Sequence, residues 1–257
     1  MKTRNTLIIV VDCLRADVVY ENPLRDYLEN IRELTDRGVS FVNNFTASVT
    51  TTPSFASMLT GLYPAKHAVR LHSGNKLRPW VFTLPQILRE HGYYTRAEVT
   101  GPLHPSTGLD RGFCDYNYRD RKTTVYTEWW RNLLRELGDL TQPWFLLLHL
   151  WELHAPRYLP AGVDPERVPG RNRYEKALVC LDEKIGELLS KISLKDTSVL
   201  LLGDHGEYIP EGLYERAKVH CKKTYKRIVR KISRGPLSFL RPLGERTLVE
   251  VGHGIHV

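Results

Sequence analysis

The sequence is poor in cysteine, and its few thiols are widely spaced. Cys13, Cys114, Cys180 and Cys221 are the four cysteines in 257 residues, and no C-x-x-C pair occurs. Disulfide-rich secreted scaffolds and small zinc modules both need closely spaced cysteines. The spacing gives little support to these two classes and favours reduced thiols, structural or incidental.

Long apolar runs are also missing. No run exceeds six residues, whereas a helix that crosses a bilayer needs about 20 apolar residues. The basic N-terminus precedes the apolar residues 7–11, but Asp12 ends that run too early for a signal peptide. We therefore predict no transmembrane segment, and we expect residues 6–11 to be the first strand of a cytoplasmic protein.

Acidic residues are nearly absent from one segment. Residues 216–246 hold eleven Lys or Arg and one acid, Glu245, which gives +10; the whole chain carries +8, so the rest is near −2. This segment belongs to a predicted basic insertion at about 208–245, with a helix at about 213–233. Such a segment can contact an anionic surface or form a solvated helix face. No nucleic-acid motif accompanies it, so no specific nucleic-acid partner is predicted.

Strand-like and helix-like patterns alternate along the chain. The predicted strands are 6–11, 39–45, 95–99, 144–150, 197–203 and, more weakly, 247–251. The predicted helices are 23–37, 53–60, 81–91, 125–137 and 172–192, and 101–122 is predicted to be a long loop. This alternation predicts an α/β fold, a three-layer α/β/α sandwich around a mostly parallel sheet.

Two carboxylates follow strand-like runs. Asp12 ends the run 7–11, and Asp204 ends the run 199–203 and precedes His205. Open α/β sheets bind ligands at the carboxyl ends of their strands, so we expect these residues to meet. Thr51 lies just before a predicted helix start, where free N–H groups favour anions. Together the four residues predict a divalent-cation site beside a hydroxyl nucleophile.

Six segments, in order along the chain, resemble landmarks of the sulfatase family within the alkaline phosphatase superfamily. They are residues 7–17, 51–64, 92–95 with 108–113, 154–158, 181–186 and 203–207. The resemblance implies an alkaline phosphatase-like catalytic domain over residues 1–257, without the usual smaller C-terminal subdomain. It also implies metal ligation by Asp12, Asp204 and His205, with Thr51 as a nucleophile that touches the metal.

Three positions depart from the pattern of typical sulfatases. Many sulfatases have two consecutive acids where this chain has Asp12 and Cys13, which makes Ca²⁺ a poorer fit than Zn²⁺, Mn²⁺ or Mg²⁺. Typical sulfatases have Cys or Ser at the position of Thr51 and convert it to formylglycine, which threonine cannot form. Phe55 stands in place of their arginine. Thr51 is similar to the nucleophile of phosphodiesterases and phosphoethanolamine transferases of the superfamily, although Thr50, Thr52 or a simple helix N-cap are alternatives.

The resemblance gives two histidines roles toward the substrate. It implies that His154 donates to a substrate oxygen or acts as a general acid, and that His253 binds charged substrate oxygens, with His256 as the alternative. His149 is interpreted as a core residue and His67 as a helix-end residue. His104 could border the pocket, and Arg15 could bind an anion or form a structural salt bridge.

The predicted function is a metal-dependent hydrolase or transferase that acts on a small anionic ester. Phosphate mono- or diesters are the favoured substrates, with Thr51 as nucleophile. Two alternatives remain: a sulfuric ester hydrolase, and a degenerate homologue that binds polyanions through residues 216–246.

Overall fold

A computed structural model describes residues 4–21 and 23–210, together with positions 218, 221 and 224. The chain divides into two compact units, Met1–Gly206 and Glu207–Val257. The strands, helices and site described below all belong to the first unit. The predicted strand at 247–251 and nearly all of the predicted basic insertion lie outside the described residues.

Five parallel strands form one sheet in the described part of the chain. They are β1 (Asn5–Val11), β2 (Tyr94–Val99), β3 (Asp115–Tyr118), β4 (Trp144–Leu150) and β5 (Thr197–Gly203). Their order across the sheet is β3-β2-β4-β1-β5, and each neighbouring pair is parallel. β1 therefore lies inside the sheet, between β4 and β5.

Apolar residues on both faces make β1 and β4 the centre of the fold. Every residue of β4 is buried, and so is every residue of β1 except Thr6. A strand that is buried on both faces needs a layer of structure on each side. The predicted α/β/α architecture and the strands at 6–11, 95–99, 144–150 and 197–203 are thus confirmed.

The helices lie between the strands in sequence. They are α1 (Ala16–Tyr20), α2 (Glu29–Arg37), α3 (Thr51–Thr60), α4 (Pro64–His67), α5 (Leu84–Glu90), α6 (Glu128–Glu136) and α7 (Arg173–Leu189). Short 3₁₀ turns occur at Pro23–Tyr27, Pro105–Thr107, Leu137–Asp139 and Pro165–Arg167. The predicted helix 23–37 is therefore two elements, a 3₁₀ turn followed by α2. Among the described residues, no helix has the length and apolar character needed to cross a membrane.

Two predictions of local structure were wrong. Residues 39–45 form no strand, and Val39, Phe41 and Phe45 are exposed, because no strand of the described chain pairs with this segment. The predicted loop 101–122 contains β3, a short strand that adds to the edge of the sheet beside β2. Apolar or polar composition alone does not decide whether a partner strand is available for hydrogen bonding.

A buried carboxylate on α7 caps the N-terminus of α2. Asp182 Oδ2 accepts hydrogen bonds from the backbone N–H (3.0 Å) and side-chain amide (2.9 Å) of Asn30. Its Oδ1 accepts one from Ile31 N at 2.8 Å. Leu28, the residue at the N-cap position, offers no side-chain cap. One turn further along α7, a Cβ at Gly186 would lie 2.2 Å from Asn30 Oδ1, so a larger residue there would displace the Asn30 side chain.

We predict that Asp182→Ala destabilises the protein by about 2–3 kcal/mol, because it leaves the first N–H groups of α2 without an acceptor. Urea denaturation gives the change in the free energy of unfolding. Glu183→Ala, at the exposed neighbouring position on α7, is the control and should change stability by less than about 0.5 kcal/mol. Equal effects of the two substitutions would contradict the capping role.

Candidate metal centre and active site

Strand register brings Asp12 and Asp204 together. β1 and β5 are adjacent and parallel, with Val11 opposite Gly203, so the next residue of each strand lies at the same sheet edge. Gly203 permits a close turn, since a Cβ there would lie 2.7 Å from the carbonyl oxygen of Leu14. Asp12 and Asp204 are only 0% and 2% exposed. The predicted convergence of the two strand ends is present in the structure.

Asp12 contacts three side chains. Its Oδ2 accepts a hydrogen bond from Thr51 Oγ1 at 3.2 Å and lies 3.4 Å from His149 Nε2. Its Oδ1 accepts one from the Cys13 thiol at 2.7 Å. The thiol therefore engages one carboxylate oxygen, while the other faces the hydroxyl and the imidazole.

The Asp204–His205 pair is held by backbone and hydroxyl donors. Asp204 Oδ1 accepts from the backbone N–H groups of Cys13 (3.2 Å) and His205 (2.9 Å). The backbone carbonyl of Asp204 accepts from the hydroxyls of Ser54 and Thr46, both at 2.7 Å. Asp204 Oδ2 lies 3.5 Å from His205 Nε2, yet it is buried without a hydrogen-bond partner among the described residues. This oxygen is thus directed at the space near His205.

Thr51 is the first residue of α3, and its hydroxyl lies between the two halves of the site. Its Oγ1 is 3.3 Å from His205 Nε2, in addition to the contact with Asp12. Thr50 Oγ1 instead pairs with Ser48 Oγ at 3.3 Å, and Thr52 Oγ1 donates to the carbonyl of His72 at 2.8 Å. Of the three threonines considered as nucleophile, Thr51 is the one whose hydroxyl contacts the carboxylate and imidazole cluster.

The two carboxylates differ in acidity. Burial alone would raise the pKa of Asp12, but its contacts with His149, followed by those with Cys13 and His205, lower it to about 2. Burial raises the pKa of Asp204 to about 6, and the negative charge of Asp12 adds to that rise. Ionisation of Asp12 therefore makes ionisation of Asp204 less favourable, which is the expected behaviour of like charges brought together out of water.

The side chains present fit a divalent cation. Three contacts, from Thr51 Oγ1 to Asp12 Oδ2, from Thr51 Oγ1 to His205 Nε2 and from His205 Nε2 to Asp204 Oδ2, measure 3.2, 3.3 and 3.5 Å. Ligands bonded at about 2.0–2.1 Å to a tetrahedral zinc ion lie about 3.3–3.4 Å from one another. A cation would also give the buried Asp204 Oδ2 the partner it otherwise lacks among the described residues.

His149 is a member of the cluster that the sequence analysis assigned to the core. It is fully buried on β4, and its side chain, with those of Asp12 and Asp204, offers ligand atoms within 4.8 Å of one another. β4 pairs with β1 so that Val10 lies opposite His149. The sequence did contain a signal, a histidine inside an otherwise apolar strand. The face of the sheet on which that histidine lies, however, depends on the register of β4 with β1. Cys13 joins Asp12 and His205 in a second group of this kind.

Another predicted site residue, His154, contacts an aromatic neighbour of this cluster. The His154 ring stacks on Trp151 with centroids 4.0 Å apart, and Trp151 in turn lies edge-on to His149 at 5.7 Å. The proposed role of His154 as donor or general acid remains a prediction. His253 and its alternative, His256, lie outside the described residues.

Two residues whose roles were left open have structural partners. Arg15 NH2 forms an ion pair with Asp17 at 2.6 Å. His67 is buried, with Nε2 3.0 Å from Ser57 Oγ and Nδ1 accepting from Val69 N at 3.1 Å. These contacts explain both residues without a ligand.

A basic recess is lined by residues that contact neighbours of the cluster. It has a volume of about 560 Å³, and its lining includes Lys76, Arg121, His72 and His104 but no carboxylate among the ten residues that form it. The His72 carbonyl accepts the bond from Thr52, next to Thr51. On the other side, the Arg121 guanidinium lies 5.2 Å over the Trp151 ring. The recess therefore presents positive charge, and its lining contacts two residues that neighbour the cluster, Thr52 and Trp151.

The chain belongs to the sulfatase family, whose model, described as Sulfatase, matches residues 4–229. Among curated proteins it is similar to the choline-sulfatase of Rhizobium meliloti (strain 1021), with 32% identity over 302 residues. That match covers 80% of this chain, which spans only 58% of the relative's length.

Solved structures share the fold at lower identity. One is the C-terminal periplasmic domain of EcEptC from Escherichia coli in a complex with Zn, with a TM-score of 0.60 and 17% identity, covering 84% of this chain and 67% of that one. Another is the phosphonate monoester hydrolase of Agrobacterium radiobacter, with a TM-score of 0.59 and 16% identity, covering 79% and 63%. These matches, together with the parallel sheet, confirm the alkaline phosphatase-like fold.

We predict that Cys13→Asp shifts the metal preference toward Ca²⁺. The new carboxylate beside Asp12 adds a hard, charged ligand, and aspartate tolerates the left-handed backbone that Cys13 adopts (φ 63°). Because carboxylate count tunes Ca²⁺ affinity over several decades, Ca²⁺ should bind at least about tenfold more tightly than to the wild type.

Titration calorimetry with Ca²⁺ and Zn²⁺ measures both affinities. Cys13→Ser is the matched control, since it keeps a donor to Asp12 Oδ1 without adding charge, and it should leave Ca²⁺ affinity unchanged. An equal gain in both variants would contradict the carboxylate argument.

Proposed function

We propose that the protein is a metal-dependent ester hydrolase of the sulfatase family that uses Thr51 as its nucleophile and acts on phosphate mono- or diesters. The observation that carries the proposal is the position of Thr51 Oγ1, buried between Asp12 Oδ2 and His205 Nε2 at 3.2 and 3.3 Å. A hydroxyl is a weak nucleophile unless a neighbouring group lowers its pKa. Asp12, Asp204 and His205 would hold a divalent cation, with Zn²⁺, Mn²⁺ or Mg²⁺ preferred to Ca²⁺.

The chemistry follows from the arrangement of these side chains. A bound cation would lower the pKa of the adjacent hydroxyl and offset the charge on the ester oxygens. Thr51 Oγ, after losing its proton to water, attacks phosphorus in line while the bond to the leaving oxygen breaks. Water then attacks the phosphothreonine and restores the hydroxyl; an alcohol in place of water would give group transfer.

The N-terminus of α3 supports the same assignment. Thr51 is the first residue of this ten-residue helix, where backbone N–H groups lack intrahelical acceptors. These groups and the helix dipole favour an anion beside the nucleophile. An ester oxygen placed there would be near the hydroxyl that attacks it.

A sulfuric ester hydrolase is the second candidate, and the identity to a choline-sulfatase favours it. A threonine cannot become formylglycine, so a sulfatase would have to use the unmodified hydroxyl. Turnover of matched aryl phosphate and aryl sulfate esters separates the two candidates. Faster hydrolysis of the sulfate ester would replace our first choice with the second.

We predict that Thr51→Ala lowers kcat for an aryl phosphate ester by at least about 10³-fold, because it removes the attacking oxygen. Thr51→Ser should keep measurable activity, since a hydroxyl remains. Thr50→Ala and Thr52→Ala are the controls at the alternative nucleophile positions. Intact-mass spectrometry of the quenched reaction should detect a phosphorylated wild-type chain and none for Thr51→Ala.

Unchanged turnover in Thr51→Ala would remove the residue from the mechanism. Loss of turnover only in Thr50→Ala or Thr52→Ala would move the nucleophile to that position. Circular dichroism of each variant verifies that the fold is retained.

We also predict that the basic recess contributes to binding of the anionic substrate. The double substitution Lys76→Ala and Arg121→Ala removes two positive charges, each worth about 0.5 kcal/mol at an exposed site, so KM should rise about fivefold. kcat should stay nearly constant because neither residue contacts Thr51. Steady-state kinetics at low and high salt test this, since added salt should shrink the difference.

Lys122→Ala is the matched control, because Lys122 is exposed beside Arg121 but does not line the recess. An equal KM for the double variant and the wild type at low salt would exclude the recess from substrate binding.

A further inference from the structure

Among the buried polar groups of the described chain, His149 stands out because its ring is enclosed but its nitrogens are not satisfied. The residue is 0% exposed, and neither Nδ1 nor Nε2 has a hydrogen-bond partner among the described residues. A buried polar group left in this state costs about 1–3 kcal/mol. A structural histidine in an apolar core ordinarily avoids that cost by donating to a carbonyl or a hydroxyl, as His67 does with Ser57.

The position of His149 on the sheet points its side chain toward the metal cluster. His149 pairs with Val10 of β1, and Asp12 follows Val10 by two residues, so the three side chains share one face. The backbone N–H of Asp12 donates to the carbonyl of Leu150 at 2.8 Å, which extends the parallel ladder to the carboxylate itself. His149 Nε2 consequently lies 3.4 Å from Asp12 Oδ2.

That distance suits two ligands of one ion better than a direct hydrogen bond. Neither His149 nitrogen forms a hydrogen bond with a described residue. The 3.4 Å between His149 Nε2 and Asp12 Oδ2 instead matches the 3.2–3.5 Å that separates the other candidate ligand atoms. His149, Asp12 and Asp204 also offer ligand atoms that all lie within 4.8 Å. The unpartnered Asp204 Oδ2 is the second buried atom that such an ion would satisfy.

Aromatic neighbours fix the plane of the imidazole. Phe55 lies edge-on to the ring with centroids 4.9 Å apart, and Trp151 does so from 5.7 Å. A ring held in this way needs little reorganisation to bind a cation. Phe55 is one turn after Thr51 on α3, so the helix that carries the nucleophile also holds the imidazole.

We propose that His149 is a direct ligand of the divalent cation through Nε2, which gives the site two imidazoles and two carboxylates from the chain. This inference rests on the metal site of the proposed function. Two nitrogen ligands make Zn²⁺ a better fit than Mg²⁺ or Ca²⁺, which prefer oxygen. The His205 ring, whose Nδ1 lies 2.8 Å from the Gly206 carbonyl, would be the other imidazole.

The test counts imidazoles bound to zinc. X-ray absorption spectra of the zinc-loaded wild-type protein report imidazole ligands through their multiple-scattering features, and we expect two. His149→Gln and His205→Gln should each show one, while His91→Gln, at an exposed position on the surface, should keep two. Zinc titration should give at least about 100-fold weaker binding in His149→Gln, because even residues that only orient a ligand contribute 10–100-fold.

A stability measurement separates ligation from a structural role. His149→Leu removes the nitrogen that would bind zinc and keeps an apolar side chain in the core. The rise in midpoint on zinc addition should shrink in this variant. A histidine with only a structural role would lower the midpoint but leave the rise on zinc addition unchanged.

The possible failures are distinguishable. A wild-type protein that binds no divalent cation would overturn the proposed metal site as a whole. A wild-type protein that binds zinc through a single imidazole would overturn the role of His149 alone, whether or not its variants fold. An unchanged count of two imidazoles in His149→Gln would do the same.

Discussion

The constraint on which the rest of the structure depends is the burial of two carboxylates side by side. Asp12 and Asp204 follow adjacent parallel strands, and both are almost completely buried. Two negative charges in such surroundings repel each other and lose their hydration. Hydrogen bonds from neighbouring groups hold the two carboxylates in place in spite of that cost. Backbone N–H groups engage Asp204 Oδ1, the Cys13 thiol engages Asp12, and the Tyr174 hydroxyl donates to the Cys13 carbonyl at 2.9 Å.

Much of this site could be predicted from sequence because parallel strands end at one edge of the sheet. The apolar runs before Asp12 and Asp204 identified both strands, and the helix that begins at Thr51 followed from its local pattern. His149 could not be placed in the same way. Whether His149 belongs to the cluster around Asp12 depends on the pairing of Val10 with His149. That register is set by contacts between residues about 140 positions apart rather than by the local sequence pattern.

The same reasoning explains the two errors in the fold. Residues 39–45 are apolar enough to suggest a strand, but in the described chain they have no partner and remain exposed. β3 is the opposite case, because only Tyr116 of its four residues is partly buried. Its existence depends on the edge of β2, where Arg96 to Val99 pair with it in parallel. Strand formation in both cases is decided by a neighbour that the local sequence does not specify.

Phe55 connects the proposed nucleophile, Thr51, with the proposed imidazole ligand, His149. The side chains of Thr51 and Phe55 lie one turn apart on the same face of α3, and Phe55 is buried in the core cluster against His149. An arginine at this position, as in typical sulfatases, would bring a positive charge to the carboxylates directly. With phenylalanine there, the charge that balances Asp12 and Asp204 would come from histidines and from the proposed cation. The apolar ring at position 55 and the proposed ligation by His149 therefore belong to one arrangement, in which the proposed cation would be the main source of positive charge beside Thr51.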